Sequence, residues 1–484
     1  MFQPNVKLTP PKSKYGFDII ADIGKLRFLK HNQIDEIFDL FKNRNVHIPK
    51  RSIENLCHTF LLYLVAVHLE SLPKLTMLIE NQGGYVIHID TTNTKGNPQL
   101  LMIKDNWSGI RLIAASIPTE AADYVKPHLE MLQKQLRNPV AAIRDMGEGI
   151  ENALNEVFSG VFIITCHYHF LRAVGQRLFN SMYFKFQRRV DRTGIKKNLR
   201  KLQKQFKKRK VTEERDDALS FLKYVFAYKK DGNGLGYPFS LPATDFYRRC
   251  EEVRPKVHKM ILVRAKDNVS SPCLSQLENT LNLLNPPPAI RGRIHSEFIK
   301  LDRRWNWFET IRKALRYRNG LIPLNTKGFL SNKELESGRK MVDKLQKDID
   351  EFVKQGDCGK DRYLKRTLRG ISELIAERKD ELFVPNVVVN INGNKRVKKL
   401  PRTNNPIEQD FRSLRRHGRR IRGDGDVERI VQRDGPGLAI VKNLELRDYV
   451  RSVYGRPDRM ALRFANVSSE SLEMARALFY VEKG

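Results

Sequence analysis

Acidic side chains are in short supply. The 484-residue chain carries 55 Asp and Glu against 88 Lys and Arg, a formal net charge of +33. Such an imbalance predicts a polyanionic partner, of which nucleic acid is the commonest. Cysteine is scarce too. Cys57, Cys166, Cys250, Cys273 and Cys358 are scattered, which argues against a disulfide framework and for a reducing compartment. No apolar run is long enough to span a bilayer, and the longest, residues 60–69, reads as part of a core helix. No amphipathic lipid-binding helix is evident, so no membrane partner is expected. Residues 1–14 are polar and Pro-rich, so no secretory signal is expected. No internal repeat is found.

What is present suffices for folding. Hydrophobic residues make up 40% of the chain, and its length exceeds what one core supports, so two to four domains are expected. After a leader over 1–15, residues 16–70 read as helical. Residues 31–42 carry Ile34, Ile37, Phe38 and Phe41 at helical spacing. A polar break over 43–47 precedes a second helix that opens on Lys50, Arg51 and Ser52. This pattern resembles a helix-turn-helix, whose second helix would bring those three residues to DNA. A plain helical bundle would give the same pattern.

A strand over 85–90 ends in Asp90. Strands over 99–104 and 110–117 follow, the first after a turn at Gly96-Asn97-Pro98. An amphipathic helix over 119–137 leads to a fourth strand, 140–144, which ends in Asp145. A helix over 147–158 and a fifth strand, 161–165, complete a βββαβαβ order, which specifies a mixed sheet with helices on its faces. Two apolar strands thus each deliver an aspartate at the carboxyl end, where open α/β sheets form their ligand crevice. Aspartates also end strands as turn formers. Convergent carboxylates repel, so they need a cation, and oxygen ligands select Mg²⁺ or Mn²⁺.

The third acid is Glu408, in RTNNPIEQDFRSLRR (402–416). It lies one turn into a helix starting at Asn405 or Pro406, with Ile407, Phe411 and Leu414 on the inward face. Asn405 and Glu408 also have capping-box spacing.

The segments YVIHIDTT, AAIRDMGEGIENAL and TNNPIEQDF resemble the three catalytic blocks of DDE-type transposases with an RNase H-like core. TCHYHFLRAVGQ resembles their Cys-x-x-His block, and the best likeness is to insertion-sequence and mutator-like groups. The resemblance covers about residues 80–175 and 400–455. It implies a catalytic and metal-binding triad of Asp90, Asp145 and Glu408, with two Mg²⁺ or Mn²⁺ ions. It also implies metal-dependent cleavage and strand transfer of double-stranded DNA, at element terminal repeats and target, by a dimer or larger oligomer. Such a protein would act in the nucleus or, in a prokaryote, at the nucleoid. A catalytically inactive DNA-binding descendant and an RNase H-like nuclease are the alternatives.

The expected organisation is an N-terminal helical region (1–80), an RNase H-like core (81–175), a mainly helical basic insertion (176–390), the closing part of the core (391–460) and a C-terminal helix (461–484). Glu148 and Glu151 are weaker candidate ligands. Cys166 and His169 lack a second ligand pair for zinc, so a site-shaping role is expected. Lys207, Lys208, Arg209 and Lys210 form a basic run expected on phosphates. So do Arg412, Arg415, Arg416, Arg419, Arg420 and Arg422, which crowd after Glu408. Trp305 and Trp307 suit either base stacking or core packing. Pro286-Pro287-Pro288 and the 232–238 loop punctuate the insertion. Asn392-Gly393-Asn394 marks a hairpin.

Overall fold

The computed structural model describes residues 8–92, 98–229, 236–284, 288–316, 329–354, 362–423 and 427–479. Gly96 and Asn97 of the expected turn, Pro286 and Pro287, residues 232–235 and the Arg422 side chain lie outside the described residues. The chain divides into two compact units. One joins Met1–His169, Gly328–Asn332 and Asp380–Gly484; the other holds Phe170–Lys327 and Lys333–Lys379.

The first unit is mixed α/β. Strands β1 (Val86–Thr91), β2 (Gln99–Asp105), β3 (Arg111–Ile117), β4 (Ala141–Arg144) and β5 (Phe162–Thr165) follow the expected βββαβαβ order. They form one sheet in the order β3-β2-β1-β4-β5. β1 to β3 are an antiparallel meander, whereas β1, β4 and β5 run parallel. β1 and β3 are buried at every position, which is why they read as nearly unbroken apolar runs.

Alternation along the strands decides where each side chain goes. Ile87 and Ile89 of β1 and Ala142 of β4 enter the main core. Val86, Ala141 and Ile143 enter a second cluster with Ile164, Val384 and Leu400. Asp90 shares the parity of Val86, and Asp145 that of Ala141 and Ile143, so both aspartates project on that second face.

Residues 1–80, expected as a region of their own, share the sheet's core. Ile20, Phe41, Phe60 and Leu64 belong to one cluster with Ile87, Leu101, Leu438 and Phe464. The Lys50–Asn81 helix packs against Phe17–Gly24, Val427–Val441, Arg447–Tyr454 and Ser469–Phe479. Among the described residues it is the one helix long and apolar enough to cross a membrane, and 61% of its most apolar stretch is buried inside the protein. A helix apolar on all sides finds partners on all sides.

A two-stranded ribbon, β6 (Val387–Ile391) and β7 (Asn394–Lys398), precedes the Asn405–Arg422 helix. Its turn has positive φ at Asn392 (51°) and Gly393 (82°), as a two-residue hairpin turn requires. Val389 seats the ribbon on Gly83, where a Cβ would stand 2.8 Å from the valine's own Cβ.

The second unit is helical in its described residues, and it stands where the basic insertion is expected. Trp305 packs against Phe179 and Phe308, and Trp307 against Phe352, which favours core packing over base stacking. The Ile195–Lys208 helix buries Ile195, Leu199 and Phe206 and turns its lysines outward. Lys207, Lys208 and Lys210 are exposed. Arg209 is exposed too, but its guanidinium reaches Cys273 Sγ (3.2 Å) and Gln276 Oε1 (3.0 Å).

Candidate active site

The parallel register of β1 and β4 pairs Val86 with Ala141, Ile87 with Ala142 and His88 with Ile143. Extended by two residues, it sets Asp90 beside Asp145. Asp90 is 8% exposed, and its Oδ1 accepts the Thr91 N–H at 2.8 Å. Asp145 Oδ1 accepts the Gly147 N–H at 2.9 Å.

Burial pushes the Asp90 carboxyl well above its ordinary range, and the charges of Asp145, Glu408 and Glu120 push it the same way. Three acids from separate stretches of chain therefore act on a fourth. Glu120 is the member that sequence reasoning missed. It follows β3, and its Oε2 accepts the Thr91 hydroxyl at 2.8 Å. Burial raises its carboxyl as well, and Asp145 adds to the rise. Gly147 leaves room for it: a Cβ there would stand 2.0 Å from Glu120 Oε1 and 3.2 Å from Asp145 Oδ1. No periodicity marks Glu120; the only signal is an acid at a strand-to-helix junction.

Glu408 arrives on the Asn405–Arg422 helix, and Asn404 holds that helix to the sheet. Asn404 occupies the N-cap position without a side-chain capping bond. Its Nδ2 donates to the Ile89 carbonyl (2.9 Å), and its Oδ1 meets His88 Nδ1 (2.9 Å). The expected Asn405–Glu408 capping box does not form, because Glu408 faces other groups. Its Oε1 lies 3.6 Å from His169 Nε2 and its Oε2 3.4 Å from Arg412 Nη2. Glu408 Oε1 is buried without a hydrogen-bond partner. Two residues on, Asp410 is 8% exposed. It receives Arg111 through Nε (3.0 Å) and Nη2, and Lys104 at 2.8 Å. That buried cluster fixes the helix on β2 and β3.

Cys166 and His169 shape this junction. Cys166 Sγ accepts the Asn404 N–H at 3.2 Å, and the Tyr168 and His169 N–H groups also reach it. Burial pushes its thiol up to about 12, and its contacts with the Asn404, Tyr168 and His169 N–H groups give the sulfur a structural role at this junction. Glu151 is taken as a counter-ion of the buried Arg144 (2.8 Å), which also meets Glu381 (3.0 Å). Glu148 is exposed.

At about 100° per residue, Glu408, Arg412, Arg415 and Arg419 fall on one face of their helix, with Arg416 and Arg420 at its margin. All five arginines are exposed. Arg415, Arg416, Arg419 and Arg420 form no ion pair with a described residue. At the other candidate DNA contact, Lys50 and Arg51 are exposed and Ser52 half-buried at the start of a 32-residue helix. Lys50 pairs with Asp35 at 2.7 Å.

Among the described residues, no three His, Cys, Asp or Glu side chains stand together as a closed metal-ligand set. The acids gathered around Asp90 are nonetheless of the chemical kind a hard divalent cation prefers, although no three of them stand close enough together here to hold one. The donor set is all oxygen, it concentrates like charges on a buried aspartate, and it contains Glu408 Oε1, which is buried without a hydrogen bond. A cation there would relieve both costs. In the comparisons with known proteins, no family model matches the chain and no curated protein matches it.

Proposed function

We propose that this protein is a DNA transposase of the DDE type, built on an RNase H-like core, that cleaves and joins DNA strands. The observation that carries the reading is the β1–β4 register that sets Asp90 beside Asp145, with Glu120 against Thr91 and Gly147 and the Glu408 helix tied to β1 through Asn404. The sheet order, with β1 central and β4 parallel beside it, supports the core assignment. Asp90, Asp145 and Glu408 would hold divalent ions, Mg²⁺ or Mn²⁺, with Glu120 beside them. Such ions supply an activated nucleophile and neutralise charge on the leaving oxygen.

The chain's own residues do the positioning. Asp90 and Asp145 stand at rigid, hydrogen-bonded strand ends. Asn404 and Asp410 fix the helix that carries Glu408. Rising about 1.5 Å per residue, the arginine stripe from Arg412 to Arg419 runs about 10 Å from the acid end of its helix, a length suited to successive phosphates of one strand. Arg412 is held on Glu408 at 3.4 Å. No Ser or Tyr nucleophile is required, because water and then a freed 3′-hydroxyl attack the phosphorus directly. The partners are double-stranded DNA and a second copy of the chain, since two element ends must be joined.

An RNase H-like hydrolase would use the same acids without joining strands. The test supplies a labelled DNA duplex with a free 3′-hydroxyl, a target plasmid and Mg²⁺ or Mn²⁺. Joined product is the expected result. Nucleotide release without joining would favour the hydrolase, and a chain inert towards DNA would overturn both.

A further inference from the structure

The β6–β7 ribbon has one face committed and, among the described residues, one uncovered. On the inner face, Val389 is 6% exposed and sits on Gly83. Lys398 lies 3.9 Å over the Trp107 ring and donates to the Gln82 carbonyl. On the outer face the register pairs Val388 with Val397 and Asn390 with Lys395. The two valines are 63% and 65% exposed, and Asn390 and Lys395 are exposed beside them. Two valines facing each other across an open ribbon are an invitation to a partner.

Charge identifies the partner. No Asp or Glu occurs from residue 382 to 407, a stretch that holds Lys395, Arg396, Lys398, Lys399 and Arg402. Arg402 is buried and Lys398 is turned onto Trp107, which leaves Lys395, Arg396 and Lys399 exposed. The same ribbon of a second copy, equally basic, would be repelled from this face; a polyanion is attracted. A two-stranded ribbon is one of the two protein elements that the DNA major groove admits. Strands of five residues extend about 17 Å, enough to lie along a groove about 12 Å wide. The outer face carries the matching chemistry: an amide for adenine, an ammonium for guanine and methyl groups for thymine.

We propose that the outer face of this ribbon enters the major groove of duplex DNA and reads base edges through Asn390, Lys395, Val388 and Val397. The inference rests on the reading that the protein acts on DNA, and it names the element that selects the sequence. The ribbon leads within a few residues into the Glu408 helix, so reading and cutting would share one rigid segment.

The test selects bound duplexes from a randomised pool with the full chain and with two variants, Asn390→Ala/Lys395→Ala and Val388→Thr/Val397→Thr. The first variant changes only exposed groups and guards against misfolding of the second. The wild type should enrich a sequence motif, and each variant should lose at least about tenfold of that enrichment, as expected for lost base contacts. Equal enrichment by wild type and variants would overturn the proposal, as would a wild type that binds duplex without preference. So would variants that change only self-association in sedimentation, since the ribbon would then join copies. Plasmid cleavage by the wild type, run in parallel, reads the proposed function separately: cleavage with unchanged enrichment leaves that function standing and removes only the ribbon.

Discussion

Asp90→Asn should abolish metal-dependent DNA cleavage, by about 10³-fold or more, and should leave the metal-free protein more stable than the wild type at neutral pH. The two effects have one origin. The Asp90 carboxyl is raised by burial and by the charges of three other acids, so the folded chain holds its proton more tightly than the unfolded chain does. Its ionisation therefore destabilises the fold increasingly as pH rises from the ordinary carboxylate range through the raised value, and fully above it. An amide of the same shape removes that cost together with the ligand. In chelator at pH 7 the variant should melt above the wild type, and at a pH below the ordinary carboxylate range the difference should vanish. Adding Mg²⁺ should raise the melting temperature of the wild type more than that of the variant, because ligand binding stabilises only the state that binds it. A variant that cleaves normally, or that melts lower in chelator, would remove Asp90 from the centre of the site.

The second large effect is expected two residues from Glu408, at a residue that performs no chemistry. Asp410→Ala strips the shared carboxylate from Arg111, itself 8% exposed, and from Lys104. Removing one partner of a buried ion pair costs about 3–5 kcal/mol, because the remaining charge stays buried and unpaired. Equilibrium denaturation should register that loss, and cleavage should fall with it as the Glu408 helix loosens on β2 and β3. An apolar replacement of the whole cluster, Arg111→Met and Lys104→Met with Asp410→Leu, should recover much of the stability, since matched apolar groups often serve as well as buried ions. If Asp410→Ala denatures like the wild type, the helix is held by other means and its anchoring role fails.

These expectations separate what the residue order discloses from what only folding reveals. Asp90 and Asp145 are visible because each ends an apolar strand, and the parity of β1 and β4 brings them to one face. Glu408 is visible because Ile407, Phe411 and Leu414 define the inward side of its helix. Asn404 is not, because an asparagine before a helix reads as a cap, whereas folding turns its amide to Ile89 and His88. Glu120 is not, because nothing in the spacing of residues 118–122 predicts that the Thr91 hydroxyl will donate to its carboxylate or that Gly147 will leave room for it. The placement of residues 1–80 was legible in part. The helix boundaries follow from periodicity, but the all-round apolar character of residues 56–72 signals a helix enclosed by other elements, here the Val427–Val441, Arg447–Tyr454 and Ser469–Phe479 helices. Long-range contacts of this kind leave no local pattern beyond hydrophobicity itself.

Three carboxylates far apart in sequence should hold one shared pair of divalent cations, and iron-directed cleavage reads whether they do. Fe²⁺ replaces Mg²⁺ on the full chain, ascorbate and peroxide are added, and the backbone is cut where radicals are released at the ion. The account predicts cuts clustered near residues 90, 145 and 408 together, all suppressed by excess Mg²⁺ and all lost in Asp90→Asn. Cuts near only one of the three, or cuts that persist in that variant, would contradict it.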